Sequence, residues 1–130
     1  MHTKNIVVVE NGPKAIGPYS VGVQAGCFIY TSGQIGLDAS TGLIVEGGVE
    51  AETRQALLNL KTILDKGNSS MDSVVKTTVF LRDMADFAKM NAVYAEFFTS
   101  GFPARSAVQV AALPRNAAVE IEAVALINKE

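Results

Sequence analysis

The sequence has a single cysteine, Cys27, so no disulfide forms within the chain and no oxidising compartment is implied. Cys27 opens the apolar run Cys27-Phe28-Ile29-Tyr30 and is expected to pack as a small buried hydrophobe. There is likewise one histidine, His2, near an end expected to fray. So little histidine and cysteine argues against a conventional zinc site and against a histidine-based triad. No excess of positive charge exists: 11 Lys and Arg face 13 Asp and Glu, a net charge of -2. That balance provides no general attraction to nucleic acid or to an anionic membrane. Lys14, Lys76, Arg82, Arg105 and Arg115 are too scattered to form a visible basic stripe. The start, Met1 to Asn5, has no apolar leader, and no stretch is long enough to cross a membrane as a helix. Phosphate-loop, dinucleotide-glycine and Cys-x-x-Cys signatures are absent. The expectation is a cytoplasmic protein with no metal, cofactor or membrane partner.

What is present is a folded domain. The 130 residues, 48% of them hydrophobic, suit a single domain spanning 1–130. Such a domain buries about two-thirds of its unfolded surface. Ile6 to Val9 is a β-rich run stopped by Asn11-Gly12-Pro13. Val21 to Ala25 and Phe28 to Gln34 read as strands around Gly26, and Asp38 to Gly42 as a turn. The period then changes. Between Val49 and Lys66 the apolar positions Ala56, Leu57, Leu60, Ile63 and Leu64 have helical spacing. Glu50 and Glu52 near its start and Lys61 and Lys66 near its end suit the helix dipole, and Gly67 provides a stop. Val74 to Leu81 is a β-branched strand. A second helix starts near Asp83 or Asp86 with the stripe Phe87, Met90, Tyr94, Phe97 and Phe98. Ala104 to Val110 and Val119 to Ile127 are strands, and Leu113-Pro114-Arg115-Asn116 between them suggests a hairpin.

This order describes an α+β domain with two helices on one face of a mainly antiparallel sheet. Along the last strand Val119, Ile121, Ala123 and Ala125 lie on one side, Val124 and Leu126 on the other. Both faces are therefore partly apolar, and the two helices cover only one. An oligomer burying the second face is expected.

Three polar groups stand where burial is expected. Arg105 interrupts the small and apolar run Phe102 to Val108. Its planar fork suits a carboxylate, which is either a substrate's or that of Glu120 or Glu122 in a structural ion pair. Glu120 and Glu122 are two apart in a strand and share a face. A hairpin centred on Pro114-Arg115 would set Glu120 opposite Gln109 and Glu122 opposite Ala107, with Arg105 on that same face. A partly desolvated carboxylate there moves protons near neutral pH; an exposed one is plain surface. Asn91 falls within the second helix's stripe, where its amide needs partners, either a ligand or a loop. Gly17-Pro18-Tyr19-Ser20 and Thr31-Ser32-Gly33-Gln34 are turns with hydroxyls and backbone N–H groups able to face an anion.

At these residues the chain resembles the reactive intermediate deaminase family, also called RidA or YjgF. The resemblance rests on Ala15-Ile16-Gly17-Pro18-Tyr19-Ser20, Thr31-Ser32-Gly33-Gln34-Ile35-Gly36, Val75 to Leu81, Phe102-Pro103-Ala104-Arg105-Ser106 and Val119 to Ala125. It implies a chorismate-mutase-like (ferredoxin-like) fold and a homotrimer with three sites between subunits. It also implies hydrolytic deamination of 2-enamines and 2-imines, of the 2-aminoacrylate type, to 2-oxo acids and ammonia without a cofactor. By the same resemblance Arg105 binds the substrate carboxylate, Glu120 is the general acid/base, and Tyr19, Ser32, Gly33 and Asn91 line the pocket. Many members have cysteine after the Arg-Ser pair. Here that position is Ala107, so no chemistry that needs a thiol there operates. Three other readings compete: a trimeric protein that only binds 2-oxo acids or similar metabolites, an endoribonuclease that inhibits translation, and a holdase for unfolded chains, which requires an exposed apolar surface.

Overall fold

The computed structural model describes residues 3–129, and His2 lies outside them. Along the chain come β1 (Lys4–Val7), β2 (Gly22–Ala25), β3 (Phe28–Thr31), β4 (Gln34–Ile35), β5 (Leu37–Asp38) and β6 (Leu43–Ile44). Helix α1 (Gly48–Lys66), β7 (Val74–Leu81), α2 (Phe87–Phe97), β8 (Ala104–Gln109) and β9 (Val119–Leu126) follow. The main sheet runs β1-β2-β3-β9-β7-β8, with β4 also paired to β9. All these pairings are antiparallel except β7 with β8. Strands β5 and β6 make a small separate hairpin, whose turn is fixed by Asp38 Oδ1 accepting the Ser40 N–H at 2.8 Å.

Both helices lie against one sheet face. The stripe Ala56, Leu57, Leu60, Ile63 and Leu64 is fully buried, each large side chain contributing about 1.5–3 kcal/mol. It packs on Ile29, Val79, Ile121 and Ala125, which alternate inward from their strands. Gly67 ends α1 as expected, as its C-cap with φ -88°, and Asn68 after it takes the positive φ of 57°. Glycine is needed because any Cβ at position 67 would strike Ile29 Cδ1. Glu52 departs from expectation. Rather than an exposed dipole partner it is 7% exposed, and its Oε1 accepts the Ala118 N–H at 2.8 Å. The first turn of α1 covers the entry to β9, and Glu52 supplies the acceptor that this covered backbone needs.

The hairpin expected between β8 and β9 does not form. Strand β7 lies between them, antiparallel to β9 and parallel to β8. The physical reason is α2. It carries the chain back across the sheet, so β7-α2-β8 is a parallel crossover unit and β8 becomes an edge strand. The Pro114–Asn116 turn then brings the chain past the end of β7, where the Arg82 N–H donates to the Ala118 carbonyl at 3.0 Å. Turn residues mark a reversal, but not which strand the chain rejoins.

Cys27 is exposed, not buried. It occupies the β2–β3 turn beside Gly26 (φ 60°), outside the alternation that buries Ile29. The sheet face away from the helices carries Phe28, Tyr30, Val124 and Leu126, and Phe28, Tyr30 and Leu126 are exposed. An uncovered, partly apolar second face is thus present, as the last strand's pattern suggests. No helix is long and apolar enough to cross a membrane among the described residues.

Candidate active site

Strand β8 presents Arg105 beside Thr77 of β7, on the helix-covered face at the sheet edge. Three groups of α2 hold it. Its Nη1 donates to Asn91 Oδ1 at 2.7 Å, and its guanidinium carbon lies 4.7 Å from the centre of the Tyr94 ring and 5.4 Å from that of Phe87. Such stacking fixes the plane of the fork without neutralising it. Tyr94 is itself anchored by a 2.9 Å hydrogen bond with Thr77 Oγ1. Burial pushes its hydroxyl pKa above the usual tyrosine value, against the lowering effect of Thr77 and Arg105. Among the described residues no carboxylate pairs with Arg105, so the expected alternative of a structural ion pair with Glu120 or Glu122 is not realised.

Asn91 is exposed, not turned into the core as its position in the stripe suggests. Helix α2 overhangs the sheet edge, so its Phe87–Asn91 flank meets Arg105 while Met90, Val93 and Tyr94 enter the core. The amide that needed a partner has one in the arginine.

Glu120 belongs to the other face. It pairs with Phe80, whereas Thr77, Val79 and Leu81 turn toward the helices. The sequence-level placement of Arg105 and Glu120 on one face is therefore overturned: it depended on the β8–β9 hairpin, and with β7 interposed the two side chains point to opposite sides. Glu120 and Glu122 do share a face. Burial raises the Glu120 pKa above the ordinary glutamate value, and repulsion from Glu122 adds to the rise.

Glu120 lines a cleft of about 280 Å³ together with Tyr19, Gly33, Ile35, Pro114 and Arg115. Gly33 lies so close that a Cβ there would be 2.6 Å from Glu120 Oε2. Only glycine lets the backbone approach the carboxylate in this way. Tyr19 is 48% exposed at the rim, and the Ile16 N–H lies 3.4 Å from its hydroxyl oxygen. Ser32 does not line the cleft but immediately precedes Gly33. Its N–H donates to Val21 O at 2.8 Å and its Oγ accepts from Gln34 Nε2 at 3.1 Å, which leaves the hydroxyl proton to be donated.

The expected residues thus fall into two groups in one chain. Tyr19, Gly33 and Glu120 line the cleft, with Ser32 next to Gly33 but outside the lining, and Asn91 and Arg105 stand at the β8 edge. Ala107 is half-buried beside Val79 and offers no reactive group. Arg115, which looks like a turn residue in sequence, lines the cleft, with Nη1 donating to Gly42 O at 2.8 Å. Asn59, not among the expected site residues, is buried and donates to Ile35 O and Leu37 O, supporting the cleft wall. A polar residue within the α1 stripe was the signal for it.

The sequence profile of the family described as Endoribonuclease L-PSP matches residues 9–127. A RutC family protein of Pyrococcus horikoshii is 51% identical over 122 residues, covering 94% of this chain and 97% of its own. The protein named 2-iminobutanoate/2-iminopropanoate deaminase in Mus musculus is 50% identical over 123 residues, 95% of this chain and 90% of its own. Among solved structures, TdcF of E. coli with bound serine superposes with a TM-score of 0.90 at 41% identity, covering 95% of this chain and 99% of its own. The chain belongs to the Endoribonuclease L-PSP family, the reactive intermediate deaminase (RidA/YjgF) group that its motifs resemble.

Proposed function

We propose that the chain is a cytoplasmic, cofactor-independent deaminase that hydrolyses reactive 2-imines and their 2-enamine tautomers to 2-oxo acids and ammonia. On this reading it acts as a chorismate-mutase-like homotrimer with sites between subunits. The observation that carries it is the half-buried Glu120 carboxylate, with raised pKa, held against Gly33 in a cleft. That is what a group exchanging protons with water near neutral pH requires. The names of close relatives support the same activity.

Arg105 binds the substrate carboxylate by two parallel hydrogen bonds, with Asn91 and the Tyr94 ring holding the fork in plane. Glu120 takes a proton from a water whose oxygen bonds to the imine carbon. Glu120 passes that proton to the imine nitrogen, giving a carbinolamine, and then carries the carbinolamine's hydroxyl proton to the amino nitrogen as the C–N bond breaks, so that ammonia leaves. The water oxygen ends as the carbonyl oxygen of the 2-oxo acid. Ser32 Oγ–H and the Gly33 backbone position the substrate, and Tyr19 closes the rim.

Arg105 and Glu120 lie on opposite faces of one sheet, so a site using both draws them from two copies. The uncovered face with Phe28, Tyr30, Val124 and Leu126 offers the surface on which copies meet. An RNA-cleaving reading is not favoured, because net charge is negative and the basic residues are scattered along the sequence.

The test generates a short-lived imine with an amino-acid oxidase and follows its capture by a competing nucleophile. Wild type suppresses capture and speeds ammonia release, and Arg105→Ala does not. Equal capture with and without wild-type protein would leave only binding of 2-oxo acids.

A further inference from the structure

Two cations line the Glu120 cleft, Lys14 and Arg115, and neither has a carboxylate within ion-pair distance among the described residues. Arg115 stands out. It adopts φ 55°, a left-handed conformation that non-glycine residues rarely take, and Asn116 beside it also has φ 55°. The pair is held there because Arg82 Nη1 donates to Asn116 O at 2.7 Å. The Arg115 guanidinium is tied to the β5–β6 turn by a single hydrogen bond, Nη1 to Gly42 O. The rest of its donor fork is left for an anion.

Resting on the deaminase reading, we infer that Arg115 is a second anion-binding subsite, which suits the cleft to imines of dicarboxylic amino acids. The first carboxylate of such a substrate is taken by Arg105. The side-chain carboxylate would otherwise meet Glu120 in the same cleft with nothing to offset the repulsion. Arg115 supplies a planar fork for it, and exposed Lys14 adds a point charge.

The experiment measures kcat/KM for imines generated from glutamate and from alanine, in wild type, Arg115→Gln, Arg115→Lys and Lys14→Gln. The readout is the glutamate-to-alanine ratio. Arg115→Gln lowers this ratio by about tenfold or more, chiefly through KM, as loss of a charge-assisted contact requires. Arg115→Lys lowers it less, and Lys14→Gln, which leaves the turn intact, lowers it slightly. Calorimetry with 2-oxoglutarate and 2-oxobutanoate follows the same order without needing turnover. A ratio unmoved by Arg115→Gln, or a parallel loss on both imines, makes Arg115 only a tie to Gly42 and overturns the inference. Wild type that hydrolyses the alanine imine but not the glutamate imine overturns it too, and leaves the deaminase reading standing. Wild type inactive on both removes both.

Discussion

Arg105 and Glu120 stand on opposite faces of one sheet, separated by strand β7. Neither group lacks support where it is: Asn91 and two rings hold the first, Gly33 abuts the second. On the proposed mechanism, which uses both, the site takes them from two copies. Arg105→Ala and Glu120→Gln, each inactive alone, should therefore complement when mixed during refolding. Random mixing in equal amounts restores about a quarter of the sites of a cyclic trimer, because each site draws one residue from each of two neighbours. No recovery in verified mixed trimers would place both residues in one subunit's site.

Replacing the arginine itself tests the fork. Arg105→Ala removes two charge-assisted hydrogen bonds at about 1.5–3 kcal/mol each, so kcat/KM should fall by about 10²-fold or more. Arg105→Lys should also be poor, since a point charge does not reproduce the planar pair. Asn91→Ala frees the guanidinium to rotate, and about 1 kcal/mol, roughly fivefold in kcat/KM, is expected. Steady-state kinetics on one imine across the three variants check the order.

The raised pKa of Glu120 has a pH signature with a definite sign. Burial is the larger cause and Glu122 the second. Glu122→Gln removes the repulsion, so the acidic limb of the kcat/KM profile should move to lower pH. Stability follows linkage. A carboxyl that binds its proton more tightly when folded stabilises the fold below the ordinary glutamate pKa, and this contribution is lost as pH rises through the raised value. Glu120→Gln should therefore melt above wild type at neutral pH and converge with it in acid. A Glu120→Gln melting point below wild type at pH 7 would show the charge to be paired.

Gly33→Ala tests the close approach. A methyl group 2.6 Å from Glu120 Oε2 forces the carboxylate aside. A displacement of about 1 Å costs about 10²-fold in rate. Glu120 is on the cleft wall rather than in the core, so the melting temperature should hardly change. Wild-type turnover in this variant would mean the carboxylate has room to act from elsewhere.

Glu52 should matter for stability rather than rate. Glu52→Ala leaves the buried Ala118 N–H without its acceptor, at about 1–3 kcal/mol. Glu52→Gln keeps an acceptor oxygen and should lose much less. Denaturant midpoints of the two variants settle the comparison.

The elements were far more legible in the sequence than their neighbours. Val74 to Leu81 reads as a strand to the residue, and the α1 stripe is buried as its spacing requires. Periodicity reports which side of an element is apolar, and local packing decides that. It does not report which strand lies alongside. Leu113-Pro114-Arg115-Asn116 looks the same whether it closes a hairpin or ends a passage across the sheet, so the sequence alone puts Arg105 and Glu120 on one face. Asn91 was misplaced for a related reason, because a helix overhanging an edge exposes a flank that its spacing assigns to the core. Of the proposed site, Tyr19, Gly33 and Glu120 converge as their motifs suggest, while Arg115 carries no local mark.

The uncovered sheet face makes dilution a chemical variable. Rings and aliphatic groups such as Phe28, Tyr30 and Leu126 left in water favour association, and mass action then ties folding to concentration. If two copies share each cleft, activity per chain is not a constant of the molecule. It falls as the solution is thinned past the dissociation point, and an assay run too dilute would record a slow enzyme where there is only a scattered one.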